Sequence, residues 1–200
     1  MAWAGELVVK VQDMQGRPVA DAAVYAEPAT RPAAPAPVQS SSKVAEVEQR
    51  GKKFLPLVTV IQVGSSLAFP NNDTVRHHVY SFSPTKVFEL PLYSGVTGKT
   101  IVFDKPGTAV LGCNIHDFML AFVQVVDTPW FSKSNPAGEA RLSNLPAGNY
   151  RLKVWRYALA NENAVPEQAL VMKASDGSVV VKLELKRFTL PAGTSSTIQY

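Results

Sequence analysis

Short runs with a two-residue apolar period, each closed by a turn residue, recur along the whole chain and limit what it can become. Leu7, Val9 and Val11 share one face of such a run, which stops at Asp13-Met14-Gln15-Gly16 before Pro18-Val19 leads toward Ala22, Val24 and Ala26. Leu57 to Val63 is rich in β-branched residues, and Leu67-Ala68-Phe69, Phe88-Glu89-Leu90, Thr100 to Phe103, Ala109 to Leu111 and Ala121 to Val126 follow, separated by Gly95, Gly98 and Asp104-Lys105-Pro106-Gly107. Further on, Arg151-Leu152-Lys153-Val154-Trp155 alternates cleanly, and Ser175-Asp176-Gly177-Ser178 reads as a hairpin turn before Val179, Val181, Leu183 and Leu185. Strand side chains point to opposite faces in turn, so this period buries one face of each run. Many short strands at turn-separated intervals pack as sandwiches or barrels. The expected fold class is all-β. Helical periodicity is weak, and Val44 to Arg50 is the segment best suited to a short helix.

Charge and length narrow the choice of partners. No apolar run in the 200 residues approaches the roughly 18 to 20 needed to cross a bilayer, so no membrane span is expected. The net charge is +4, but Lys and Arg are scattered rather than clustered, which points away from nucleic acid and toward a protein partner. Residues 28–42, with Pro28, Pro32, Pro35, Pro37 and Ser40-Ser41-Ser42, read as a linker, and residues 188–200 as a tail. Ala2-Trp3-Ala4 has the small-x-small pattern of a signal-peptidase site. The expected location is therefore periplasmic or secreted, with a cytoplasmic chain carrying a chance match as the alternative.

A single cysteine excludes an internal disulfide, and its surroundings supply another use for it. Gly112-Cys113-Asn114-Ile115-His116-Asp117-Phe118-Met119 sets a thiol, an imidazole and a thioether at C-x2-H-x2-M spacing. Thiolate and imidazole bind copper in both oxidation states, and a thioether adds a weak axial contact. A second imidazole is available from His77 or His78, in Val75-Arg76-His77-His78-Val79-Tyr80-Ser81-Phe82. A one-residue slip of that strand would exchange the two, so both stay open at this point. Taken singly, Cys113 and Met119 read as core and His77-His78 as a surface pair; the spacing of the set carries the metal reading. Glu89 is a candidate hard ligand for a non-blue copper site. Zinc would find only three good ligands here. A thiol enzyme built on Cys113 lacks a triad order or a glycine-rich oxyanion turn, so an enzyme is not expected.

Phe69-Pro70-Asn71-Asn72-Asp73, His77-His78-Val79-Tyr80-Ser81, Phe103-Asp104-Lys105-Pro106-Gly107, and Cys113-Asn114-Ile115-His116 with Met119 together resemble the cupredoxins. The resemblance is strongest to the plastocyanin- and amicyanin-like group often labelled methylamine utilisation proteins. It implies a Greek-key β-sandwich over residues 43–129. It also implies one copper ion held by His77, Cys113, His116 and Met119, cycling between Cu(I) and Cu(II). Single-electron transfer with redox protein partners in the periplasm would follow, with copper binding and delivery as the alternative. The loop histidine, His116, would pass electrons through a patch drawn from Phe69, Pro70, Phe118 and Leu120. The chain departs from the family's pattern at His78, commonly Asn, and at Asp117-Phe118, commonly Pro-Lys.

The flanks resemble a different family. Gly5 to Val9 with Asp13-x2-Gly16-x-Pro18-Val19, and Leu142-x2-Leu145-Pro146-Ala147-Gly148-x-Tyr150-x-Leu152-x-Val154, look like two halves of a carboxypeptidase regulatory-like, or transthyretin-like, β-sandwich. That implies a split domain of residues 5–27 and 130–187, with the copper domain inserted in one of its loops.

Overall fold

The computed structural model describes residues 4–30, 44–95, 99–161 and 164–191. Most of the expected linker and tail, and the first residues of the Ala2-Trp3-Ala4 motif, lie outside them. The described chain is β throughout, as expected. Its strands are β1 (Ala4–Asp13), β2 (Ala23–Pro28), β3 (Ala45–Glu46), β4 (Glu48–Gln49), β5 (Phe54–Leu55), β6 (Val58–Gln62), β7 (Ser66–Ala68), β8 (His77–Ser83) and β9 (Lys86–Tyr93). They continue with β10 (Thr100–Val102), β11 (Gly107–Gly112), β12 (Leu120–Val126), β13 (Phe131–Lys133), β14 (Glu139–Pro146), β15 (Gly148–Trp155), β16 (Glu167–Met172) and β17 (Gly177–Leu183). Among the described residues no helix is long and apolar enough to cross a membrane.

The chain forms two compact units, one holding β1, β2 and the described residues from Asp127 to Phe188, the other the described residues between Val38 and Val126. In the first, a three-stranded sheet β14-β1-β17 accompanies a four-stranded sheet β13-β2-β15-β16. The period of β1 explains its burial: Leu7, Val9 and Val11 are at most 2% exposed. Each such side chain contributes about 1.5–3 kcal/mol when fully buried. At the end of β1 the Asp13 carboxylate accepts the N–H groups of Gln15 and Arg17, both at 2.9 Å, and the Arg17 Nε at 2.6 Å, which fixes the turn. Tyr150 on β15 sets its ring edge against Trp130 and donates its hydroxyl to the Pro146 carbonyl at 2.9 Å.

One expectation in this unit fails. Ser175 to Ser178 does not close a hairpin, because β16 pairs with β15 while β17 runs parallel to β1 in the other sheet. The segment is a crossing between sheets, and Asp176 is used there to accept the Glu6 N–H at 2.9 Å.

The second unit is built on a five-stranded sheet, β6-β12-β11-β8-β9, and a three-stranded sheet, β10-β7-β3. Its core contains Phe54, Leu67, Phe69, Val79, Phe103, Leu111 and Val123, with Cys113 and Met119 in the same cluster. Phe88 packs between Phe69 and Phe103, at ring-centroid distances of 5.4 and 6.2 Å.

The expected helix over Val44 to Arg50 is instead β3 and β4. Ala45 and Glu46 run parallel to β7, and the N–H groups of Val47 and Gln49 donate to the carbonyls of Ala68 and Pro70. Val47 and Gln49 are both fully buried, a two-residue period that helical propensity does not foresee; pairing with a neighbouring edge decides the outcome.

Candidate metal centre

The C-x2-H-x2-M loop is held at its base by the sheet. Gly112, the last residue of β11, pairs with Leu120, the first of β12, so Cys113 to Met119 form a closed connection between two neighbouring strands. Inside it the Met119 N–H donates to the His116 carbonyl at 2.9 Å. On its other side Gly112 pairs with Tyr80 of β8, which brings the start of β8, His77, alongside the loop.

This arrangement gathers His77, Cys113 and His116 so that one ligand atom of each lies within 4.8 Å of the others. The Cys113 Sγ is 4.0 Å from the His77 Nδ1 and 3.8 Å from the His116 Nδ1. Ligand atoms that each sit ~2.0–2.3 Å from one ion lie roughly 3–4 Å apart, so the three fit a common metal. Two imidazole nitrogens and a thiolate are also donors that copper accepts. His77 is fully buried and Cys113 is 2% exposed, while His116 is half-buried at the rim. Met119 is buried in the core cluster that contains Cys113.

The two adjacent histidines have different surroundings. The His77 Nε2 lies 2.6 Å from the Asp73 Oδ2, and its Nδ1 faces Cys113. The His78 Nε2 lies 2.7 Å from the Glu89 Oε1, and its Nδ1 is buried with no hydrogen-bond partner among the described residues. Glu89 is therefore engaged with His78, not with the His77–Cys113–His116 cluster.

Electrostatics favour the forms a metal needs. Burial, then the electrostatic influence of His77 and Lys52, lowers the His116 pKa below the ordinary histidine value and favours its neutral ring, against a smaller upward pull from Asp73. For Asp73, burial alone would raise the carboxyl, but the Lys52 N–H, His77 and the Gly51 N–H together outweigh it and hold it below the usual carboxylate range.

Two of the four residues expected to form an apolar patch near His116 are buried. Phe69 is 1% exposed and Pro70 is buried, because the Phe69 ring belongs to the core with Phe88. Phe118 and Leu120 are half-buried; Phe118 packs against His116 with ring centroids 5.7 Å apart, and Ile115 is 49% exposed. The sequence reading gives Asp73 only as the last residue of the Phe69-Pro70-Asn71-Asn72-Asp73 stretch, with no role at the site. A carboxylate four residues ahead of a candidate ligand histidine is the signal that singles it out.

No family model matches the chain, and no curated protein matches it. Solved structures do. The chain is similar to the copper-containing nitrite reductase NirK of Thermus scotoductus SA-01 at 26% identity and TM-score 0.41, over 48% of this chain and 26% of the reductase. It thus spans about a quarter of that enzyme. It is similar to the novel purple cupredoxin of Nitrosopumilus maritimus at 23% identity and TM-score 0.37, over 41% of this chain and 99% of the cupredoxin. A mutant of amicyanin in the Cu(I) state is similar at 18% identity and TM-score 0.39, over 44% of this chain and 87% of amicyanin.

Proposed function

We propose that His77, Cys113, His116 and Met119 hold one copper ion as a type 1 centre, and that the chain carries single electrons between redox proteins in the periplasm. The carrying observation is the convergence of one ligand atom each from His77, Cys113 and His116 within 4.8 Å, His77 supplied by β8 and the other two by the loop between β11 and β12. The copper motif and its resemblance to the amicyanin-like, methylamine utilisation cupredoxins support the same reading. Copper, when bound, would supply the one-electron Cu(I)/Cu(II) couple.

The residues divide the remaining work. Buried His77 and Cys113 keep water from the inner side of the site. Half-buried His116, with Phe118 against it and Ile115 exposed beside it, offers a ring edge to a docking protein. A small apolar contact is enough for a transient redox encounter. We assign the copper site to a cupredoxin domain of residues 43–129, inserted in a carboxypeptidase regulatory-like sandwich of residues 5–27 and 130–187. The chain acts as a carrier, not an enzyme.

Copper-loaded protein is expected to show an intense visible thiolate-to-copper absorption that disappears in Cys113→Ser. A colourless wild type holding one copper per chain overturns the type 1 assignment. Copper delivery would use the same ligands, so voltammetry separates the two uses: a reversible couple supports electron transfer, and loss of copper on reduction supports delivery.

A further inference from the structure

His77 is held from both sides, and the group behind it is a fixed carboxylate. Asp73 Oδ2 meets the His77 Nε2 at 2.6 Å. The carboxylate is itself pinned by the backbone: Gly51 donates its N–H to Oδ1 at 2.6 Å and Lys52 donates to Oδ2 at 2.8 Å. The Asp73 N–H donates to the Asn71 Oδ1 at 3.0 Å. Asn71, 2% exposed, spends its amide on the carbonyls of Val75, at 3.0 Å, and Tyr93, at 2.7 Å. Asp73 thus cannot turn away without releasing the Gly51-Lys52 turn, and Asn71 is equally fastened.

An ionised carboxylate only accepts hydrogen bonds, so the shared proton belongs to the His77 Nε2. A neutral imidazole protonated at Nε2 keeps its lone pair on Nδ1, the atom that faces the Cys113 Sγ. A carboxylate behind a ligand imidazole also raises its basicity, which favours the more highly charged metal ion. We propose that Asp73 is the positioning residue of the metal centre, fixing the Nε2–H tautomer of His77, aiming Nδ1 into the site and biasing bound copper toward Cu(II). This rests on the reading of His77 as a metal ligand.

The test begins without metal. Nitrogen-resolved NMR of the copper-free chain, read on the neutral form of the ring, should show His77 protonated at Nε2 and bare at Nδ1, and Asp73→Asn should mix the two tautomers. A neutral His77 ring with its proton on Nδ1 in the wild type, or an unchanged tautomer in the variant, overturns the proposal whether or not copper binds. In the loaded protein, Asp73→Asn should weaken metal binding about 10- to 100-fold. It should also raise the reduction potential, by ~59 mV for each tenfold loss in Cu(II) preference over Cu(I). Asp73→Glu should restore part of both. A variant that melts earlier but keeps wild-type tautomer, affinity and potential shows that Asp73 serves only the Gly51-Lys52 turn. Failure of the wild type to bind copper refutes the proposed function, while the metal-free tautomer still reports on Asp73.

Discussion

The Tyr80 ring lies so close over Gly112 that a Cβ on Gly112 would meet the Tyr80 Cζ at 2.6 Å. Gly112 immediately precedes Cys113, so a side chain there must displace either the ring or the ligand loop. Gly112→Ala is expected to cost about 1–3 kcal/mol in chemical denaturation and to shift the visible band of the copper-loaded protein. Adding Tyr80→Ala should return the band toward its wild-type position. A single variant with wild-type stability and spectrum would show that the contact relaxes freely.

The adjacent histidines should separate sharply under substitution. His77→Ala removes a nitrogen facing Cys113 and is expected to abolish tight copper and cobalt binding by calorimetry. His78→Ala loses the contact with Glu89 and the ring contact with Tyr80, neither of which involves Cys113 or His116, and should bind as the wild type does. The reverse pattern would assign the ligand to His78.

Acid should act on the first unit through Asp13. Burial raises its carboxyl, but the Arg17 N–H and guanidinium and the Gln15 N–H outweigh this and hold its pKa below the usual carboxylate range. A carboxyl whose folded pKa is depressed stabilises the fold above its unfolded value and loses that contribution as pH falls through the folded value. Urea midpoints measured from neutrality down through the carboxylate range should therefore fall more steeply for the wild type than for Asp13→Asn. Parallel curves would remove Asp13 from the account.

Tyr150→Phe keeps the ring against Trp130 and deletes the bond to the Pro146 carbonyl. The expected loss is about 1 kcal/mol in thermal or chemical unfolding. A loss several times larger would mean that the hydroxyl fixes more than that corner.

Much of this was legible because the period of a half-buried strand is written directly in β1 and β15, and because three of the four proposed ligands lie in one short segment. The His77–His78 choice was not legible. Both are buried, at 0% and 7%, and the β8–β9 register shifts between His77 and Val79, so alternation does not tell them apart. Their partners do, and Asp73 and Glu89 are brought to them by the fold. The β3–β4 segment and the Ser175–Ser178 crossing were misread for a related reason: each is decided by the strand it meets, not by its own residues.

The parallel pairing of β1 with β17 also sets an order of events at the ribosome. β1 leaves the exit tunnel before the unit bearing Cys113, yet its partners β14 and β17 follow only after that unit has been made. The unit bearing Cys113 can collapse while both edges of β1 are still unmatched, so a stalled or truncated chain would present that unit finished and the first unit unfinished.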